Sequence, residues 1–392
     1  MTKSERTAVV AGVGETEFAR HSDRADEEWI AEAIAIALED AGLTRDRVDG
    51  LVVATISIPD DSAHIAEHLG FELNFVMKAD YGGASTLAGI ARARAAIEAG
   101  LADVVVVAAG GNRIDLPALS HDRRTAPWDY SLRNWVAPFG YAEPNGFFGM
   151  IQRRHMSEHG TTLEQLGKIA VTFRDHARLN PRALLREPMT IQDYLDSRLI
   201  ADPIRRADCV MRCAGGAAVV VCADAIARGL AKPPVYMRSY GERVNHQTRG
   251  PDHQRTETGF SVLADRIFHR DSRADMHFAQ LYDDYPIAVL MMLEDLGFAK
   301  KGGGGAFIER TDISIGGDFP LNTGGGQLSI GQPSLAGGAI HVVEAVHQLR
   351  GEAGERQVDG AALGLVTGIG MLSYSGNLAM VCGAVLGTEE AA

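Results

Sequence analysis

Apolar residues fall along the chain in two alternating patterns. Short, continuous, β-branched runs occupy 7–12 (TAVVAG), 51–55 (LVVAT), 104–109 (VVVVAA), 217–222 (AAVVVC), 362–366 (ALGLV) and 377–386 (NLAMVCGAVL). Runs of this length without a polar face predict strands covered on both sides. Between them, 28–41, 85–99 and 339–349 carry apolar residues at helical spacing and close at Gly42, Gly100 and Gly351. A glycine past the last apolar position stops a helix because it takes the left-handed conformation without steric cost. Strand and helix in alternation predict a layered α/β fold.

The pattern occurs twice. A glycine-rich turn at 81–85 (YGGAS) opens a helix, and the strand VVVVAAG follows it. A second turn at 331–338 (GQPSLAGG) opens another helix, and AALGLVTG follows that one. DGLVV (49–53) ahead of HIAEHLG (64–70) has its counterpart in 277–282 ahead of MMLEDLG (291–297). The same order twice predicts two similar halves, 1–235 and 236–392, with a shared site between them. Residues from about 112 to 202 fit neither half. Their Arg, Trp, Tyr and Pro content reads as a long inserted loop region of the kind that covers active sites.

Composition narrows the function classes. A chain of 392 residues that is 46% hydrophobic and 23% charged is not disordered and can bury two packed halves. No apolar, uncharged stretch reaches the about 20 residues of a membrane helix. The start, MTKSERTAVVAGVG, runs from charges directly into a strand and reads as no export signal, so a cytoplasmic protein is expected. A net charge of -13 argues against nucleic acid as a partner. The four cysteines, 209, 213, 222 and 382, read as reduced and buried. Cys209 and Cys213 lack a second ligand pair, so no zinc site is expected, and no carboxylate cluster spells another metal. His64 and His68 read as a solvated helix face, and His341 and His347 as helix-face residues. Gly12 and Gly14 lack the third glycine of a dinucleotide turn.

The GGAS elbow, Ala201-Asp202-Pro203, Ala207-Asp208-Cys209, GGAA at 215–218, LYDDYPIAVLMMLEDLGF at 281–298 and NTGGGQLSIGQPSLAGGAIHVVEAVHQLRGEAGERQV at 322–358 resemble the thiolase superfamily. More narrowly, the chain is similar to the sterol-carrier-protein (lipid-transfer) type. The resemblance spans nearly the whole chain. It implies the five-layered αβαβα thiolase fold of two similar halves, a homodimer and an acyl-CoA thioester as substrate, with no further cofactor.

Three departures change the chemistry that the resemblance implies. Gly83 stands where such a thiolase carries its nucleophilic cysteine, and Gln332 where it carries the histidine of G-H-P. The late cysteine has no counterpart in Gly368–Met371, and Cys382 lies inside a strand pattern. Covalent acyl transfer needs a thiolate and a base to activate it. The combination of GGAS, YDxY and GGQLxxGQPxxAGG resembles the thiolase-like aldolases of bacterial steroid side-chain degradation. Those cleave a β-hydroxyacyl-CoA to a ketone and a shorter acyl-CoA, such as propionyl-CoA or acetyl-CoA, together with a small OB-fold partner. An acyltransferase with an atypical nucleophile and a non-catalytic subunit are the other two readings.

Retro-aldol cleavage needs a base for the hydroxyl proton, donors for the thioester enolate and an acid for the α-carbon. Tyr282-Asp283-Asp284-Tyr285 is the candidate acid–base group. On an extended segment, Asp283 and Tyr285 face one side and Tyr282 and Asp284 the other. Tyr285 is therefore read as the proton-transfer residue with Asp283 as its modulator, and Tyr282 as second choice. The structural alternative is a packed tyrosine with an aspartate capping a helix near Pro286. Gln332, Asn322, Gly324, Gly325, Gly326 and the backbone of Gly368–Gly370 are expected to face the thioester, since glycine lets amides approach an oxyanion. Gly83 and Ser85, in the elbow, are also expected to contact the substrate or its CoA, with Ser85 as a helix cap or a nucleophile. Ser373 and Tyr374 lie in the late loop, and Arg123-Arg124 or Arg153-Arg154 are candidates for the CoA phosphates. None of the lysines (3, 78, 168, 232, 300, 301) stands out for a Schiff base.

Overall fold

Strands and helices form where the two apolar patterns place them. The computed structural model describes residues 6–55, 62–113, 137–139, 144–246, 256–372 and 378–389. The chain begins β1 (Ala8–Glu15), α1 (Asp26–Ala41), β2 (Gly50–Ala54), α2 (Ser62–Leu69), β3 (Phe75–Lys78), α3 (Ser85–Glu98) and β4 (Val104–Gly111). There follow α4 (Pro144–His159), α5 (Leu163–Arg178), α6 (Ile191–Asp196), β5 (Leu199–Ala201), β6 (Ile204–Arg205), β7 (Arg212–Cys213), β8 (Gly215–Ala223) and α7 (Asp224–Ala227). The remainder is β9 (Tyr236–Val244), α8 (Phe260–Ile267), β10 (Phe278–Gln280), α9 (Pro286–Asp295), α10 (Gly304–Arg310), α11 (Gly326–Ile330), β11 (Gln332–Pro333), α12 (Gly337–Arg350), β12 (Leu363–Leu372) and β13 (Leu378–Gly387). Gly42 and Gly351 take φ of 68° and 70° at the ends of α1 and α12, the left-handed stop that the glycine spacing predicts.

Two sheets repeat one topology. The first runs β1-β8-β4-β2-β3, with β8 antiparallel to both β1 and β4, and with β4, β2 and β3 parallel. The second runs β9-β13-β12-β10 in the same sense, and a parallel bridge from Ala279 to Leu321 adds the next position at its edge. Helices α3 and α12 lie between the sheets. Val107 and Val219, Leu87 and Ala88, Val342 and Val346, and Val366 and Cys382 join there in one apolar cluster. The intervening residues point outward: Val106 and Val220 onto Ile30 and Ala37 of α1, and Leu365 and Val381 onto Phe260 of α8 and Leu293 of α9. Period-two alternation through two sheets thus builds five layers, αβαβα. Each large apolar side chain so buried contributes about 1.5–3 kcal/mol.

Gly12 and Gly14 serve packing. A Cβ at either would strike the backbone of Ala37, so both let α1 rest directly on β1. β9 escaped the sequence pattern because it alternates polar and buried positions instead of running apolar. The described part of the inserted segment is mainly the helices α4, α5 and α6, with an irregular stretch over 180–190 and the short β5. Thr162 and Thr190 cap α5 and α6 by accepting from the backbone N–H of Gln165 and Asp193. Leu166, Ile169 and Phe173 then pack α5 against α6, α9, α10 and α11.

Candidate active site

The first glycine turn is pressed shut. Gly82–Ala84 form a short 3-10 turn into α3, and the Ser85 hydroxyl accepts from the Tyr81 N–H at 2.9 Å. A Cβ on Gly338 would collide with the Gly83 carbonyl, and one on Gly370 with the Tyr81 carbonyl, so α12 and β12 both close onto the elbow. A Cβ on Gly83 would collide with the Tyr282 hydroxyl and ring. The space a side chain at position 83 needs is therefore filled by Tyr282, which is itself buried.

Beyond Tyr282 the interior opens into a cavity of about 190 Å³. Asp284, Tyr285 and Gln332 form one wall, and Asn145, Ile200, Cys209 and Val210 the other, with Arg206 and Arg212 adding positive charge. The second glycine turn delivers Gln332: β11 pairs with β7, and the Gln332 N–H donates to the Met211 carbonyl at 2.8 Å. The Gln332 amide donates to Asp284 Oδ1 at 3.0 Å and reaches the Tyr282 hydroxyl at 3.5 Å. Burial pushes the Asp284 carboxyl up to about 7, the Asp283 charge adds to this, and hydrogen bonds from Tyr282 and Gln332 oppose it. Burial, with the nearby Asp284 charge, holds the Tyr282 phenol well above its usual range, so it stays protonated. Tyr285 is buried, stacks on Phe148 at 4.1 Å between ring centroids, and donates its hydroxyl proton to Asn145 Oδ1 at 2.6 Å. A carboxyl poised near neutrality, the Tyr285 phenol and two guanidinium groups around one partly apolar cavity, with the Tyr282 hydroxyl behind them beside Gln332, suit proton transfer to and from an anionic thioester ligand.

Residues 241–383 match the family model described as "Thiolase C-terminal domain-like". A steroid side-chain-cleaving aldolase of Thermomonospora curvata is 33% identical over 88% of this chain and 90% of its own. An acetyl-CoA acetyltransferase of Methanothermobacter thermautotrophicus is 32% identical over 93% and 96%. The solved structure titled "Ltp2-ChsH2(DUF35) aldolase" superposes with a TM-score of 0.85 at 31% identity, covering 97% of each chain. The chain belongs to the thiolase superfamily. Within this thiolase fold, the elbow that Gly83 occupies is closed by Tyr282, and the open space lies one step further along the YDDY segment.

The other residues expected at the thioester are arranged around this thiolase site in a different way. Asp283 does not join Tyr285. It accepts from the N–H groups of Gln327 (2.9 Å) and Leu328 (3.2 Å) and faces His341 Nε2 at 3.2 Å. The period-two argument fails there because β10 ends at Gln280 and 281–285 is irregular. His341 lies on a buried face of α12. The Asn322 amide is committed to Leu281, accepting from its N–H at 2.7 Å and donating to its carbonyl at 2.8 Å. Gly325 and Gly326 have φ of 102° and 60° and build the turn that seats Asp283; a Cβ on Gly326 would strike that carboxylate. Ser85, Asn322, Gly325, Gly326 and Gly370 thus shape the backbone behind the cavity.

Arg153 pairs with Asp202 at 2.6 Å and Arg154 with Glu158 at 2.6 Å, both on the surface. Arg123, Arg124, Ser373 and Tyr374 lie outside the described residues. Burial pushes the Cys213, Cys222 and Cys382 thiols up to about 12. Cys209 instead is partly exposed on the cavity wall, where its thiol lies 3.4 Å from Asn145 Oδ1. Asp284 belongs to the candidate acid–base group but not in the role preferred for Asp283, Cys209 is expected to be buried, and Asn145 has no signal in the sequence. Alternation already set Asp284 beside Tyr282; nothing local marks Asn145 or Cys209. Among the described residues no group of His, Cys, Asp and Glu is arranged to hold a metal, and no helix is long and apolar enough to cross a membrane.

Proposed function

We propose that this chain is a carbon–carbon lyase that cleaves a β-hydroxyacyl-CoA, derived from a steroid side chain, to a ketone and a shorter acyl-CoA such as propionyl-CoA or acetyl-CoA. One observation carries the reading: Tyr282 fills the space of the thiolase nucleophile, while Asp284, with its carboxyl raised to about 7, stands in the adjoining cavity. Asp284 takes the proton of the β-hydroxyl. The oxygen's electron pair forms the ketone carbonyl as the Cα–Cβ bond breaks. The electrons of that bond pass to the thioester as its enolate, for which the Gln332 amide and the Tyr282 hydroxyl are the donors. Tyr285 protonates the α-carbon and recovers a proton from Asp284, so no water or cofactor is consumed. Pro144, Ile200 and Val210 offer an apolar wall to the hydrocarbon, and Arg206 and Arg212 a cationic one to the CoA phosphates.

The likeness to an aldolase structure whose title names a DUF35 component supports a complex with a small OB-fold protein. A homodimer and a cytoplasmic location complete the reading. The test mixes the chain and such a partner with a tertiary β-hydroxyacyl-CoA and follows ketone and short acyl-CoA by chromatography. Acyl exchange between two thioesters without C–C cleavage would refute it. The place of Cys209 on the cavity wall favours one second reading, acyl transfer through that thiol. It requires an acyl adduct on Cys209, visible as an intact-mass increase; the lyase reading requires that none forms.

A further inference from the structure

We propose that Tyr194, on the inserted helix α6, and Asp208 are positioning residues for Arg206, so that the insertion sets the cation that meets the CoA phosphates. The proposal rests on the acyl-CoA part of the reading above. Arg206 and Arg212 stand on the same cavity, but the chain holds them differently. Arg212 lies in β7 and is carried by the pairing with β11. Arg206 opens the short 3-10 turn Arg206–Asp208, which belongs to neither repeated sheet. Its side chain is exposed at the cavity, so the backbone of this turn decides where the guanidinium can reach.

The turn is fastened to the C-terminal end of α6. The Arg206 N–H donates to the Arg198 carbonyl at 2.8 Å, and the Ala207 N–H to the Ser197 hydroxyl at 3.4 Å. The Ser197 hydroxyl in turn donates to the Tyr194 carbonyl at 2.7 Å. Asp208 closes the arrangement. One carboxylate oxygen accepts from the Arg205 N–H at 2.7 Å, just ahead of the turn, and the other accepts the Tyr194 hydroxyl proton. Asp208 and Tyr194 are fully buried, and a Cβ on Gly167 of α5 would strike the Tyr194 ring, so α5 as well as α6 sets the phenol. Burial raises the Asp208 carboxyl to about 6, and the two hydrogen bonds and the Arg205 charge oppose this. A buried carboxylate keeps its place only with its donors, because a lost partner leaves its charge uncompensated. An arginine on a mobile turn loses affinity to the ordering of its own backbone; this turn is ordered before a ligand arrives.

The experiment uses the complex of the full chain with its OB-fold partner, and CoA itself as the probe. Calorimetry gives Kd for CoA and the product assay gives kcat for C–C cleavage, in the wild type and in each variant. Tyr194→Phe keeps the packed ring and removes only the hydroxyl. It is expected to weaken CoA about fivefold with kcat within about twofold, as for a group that serves ground-state and transition-state binding equally. Arg206→Ala is expected to weaken CoA about tenfold, and Tyr194→Phe/Arg206→Ala to match it, because Tyr194 acts through Arg206. Asp208→Ala is expected to lose about tenfold; should it not fold, Tyr194→Phe decides alone. Asp208→Asn still accepts from the Arg205 N–H and turns its amino end to the Tyr194 oxygen, so it is expected to recover Kd to within about twofold. An unchanged Kd in Tyr194→Phe, multiplying losses in the double variant, or a fall confined to kcat would each overturn the positioning role while leaving the lyase intact. A wild-type complex that binds CoA, shows these changes in Kd and cleaves no C–C bond would instead overturn the lyase reading and leave the positioning role standing. A complex that binds no CoA would overturn both.

Discussion

The two glycine turns both open a helix of the central layer, yet they treat the site in opposite ways. At 81–85 the turn is closed: Tyr282 covers Gly83, and β12 and α12 press onto the backbone through Gly370 and Gly338. At 331–338 the turn is open. Gln332 leaves it partly exposed and reaches Asp284 at 3.0 Å on the cavity wall. A thiolase fold with a nucleophile would need the first turn accessible. Here accessibility has passed to the second turn and to the YDDY segment it faces. On the lyase reading, the difference teaches that a fold can keep its scaffold while the reacting atoms shift from a covalent nucleophile on the first turn to an acid–base pair on the YDDY segment packed against it.

The sharpest break in this comparison is Asp284→Asn. If the open side carries the chemistry, kcat for cleavage falls about 10³-fold at pH 7, read in the same product assay. An unchanged rate would shift the chain toward a non-catalytic subunit. The same variant tests the electrostatics through stability. A folded carboxyl raised from 3.8 to about 7 has no charge to bury below pH 4. As pH rises through 7 the folded state must hold a carboxylate that the unfolded state holds freely, so wild-type stability is lost over that window. Asn carries no such charge. Asp284→Asn should therefore unfold with the wild type at pH 4 and at a higher temperature than the wild type at pH 8, measured by circular dichroism melts.

Next in size is an attempt to reopen the closed side. Gly83→Cys supplies the missing thiol but places its Cβ within the Tyr282 ring. It should destabilise the fold by about 1–3 kcal/mol through overpacking, lower the melting temperature and confer no acyl transfer. Adding Tyr282→Ala should recover most of the lost stability. Thiolase exchange activity in Gly83→Cys alone would show that the closure is not what separates the two turns.

Gln332→Leu probes the link between the turns. The Gln332 amide hydrogen bond lowers the Asp284 carboxyl, opposing burial. Its loss raises that carboxyl further. The acid limb of the kcat profile should then move to higher pH, with kcat at pH 7 reduced about tenfold. A limb that stays in place would mean that Gln332 serves the substrate alone.

The fold was legible because burial on two faces writes itself into continuous apolar runs, and because a glycine ends each of α1, α3 and α12 just where the apolar spacing stops. The site was legible only where it repeats a turn. Gly83 and Gln332 emerged from the motif comparison, and Tyr282 faces both. Asp284 stood on the same side by alternation and was passed over for Asp283. That choice assumed a regular strand through 281–285, whereas the segment bends and turns Asp283 back onto the α11 amides. Asn145 and Cys209 reach the cavity from 139 and 75 residues before Asp284, and no local pattern announces such a meeting.

The smallest expected effect belongs to Ser85→Ala. Ser85 is fully buried, and its hydroxyl accepts from the Tyr81 N–H inside the closed turn. A nucleophile needs access to the thioester and a base to remove its proton, and this hydroxyl is instead committed to the backbone. Losing one such hydrogen bond should cost about 1 kcal/mol. That would appear as a modest fall in melting temperature, because the elbow is also held by the glycine contacts of α12 and β12. Turnover should stay within about threefold, since Ser85 touches the cavity only through the backbone it steadies. A loss of two or more orders of magnitude in kcat at unchanged melting temperature would place chemistry at the first turn. The contrast between the two turns would then have to be withdrawn.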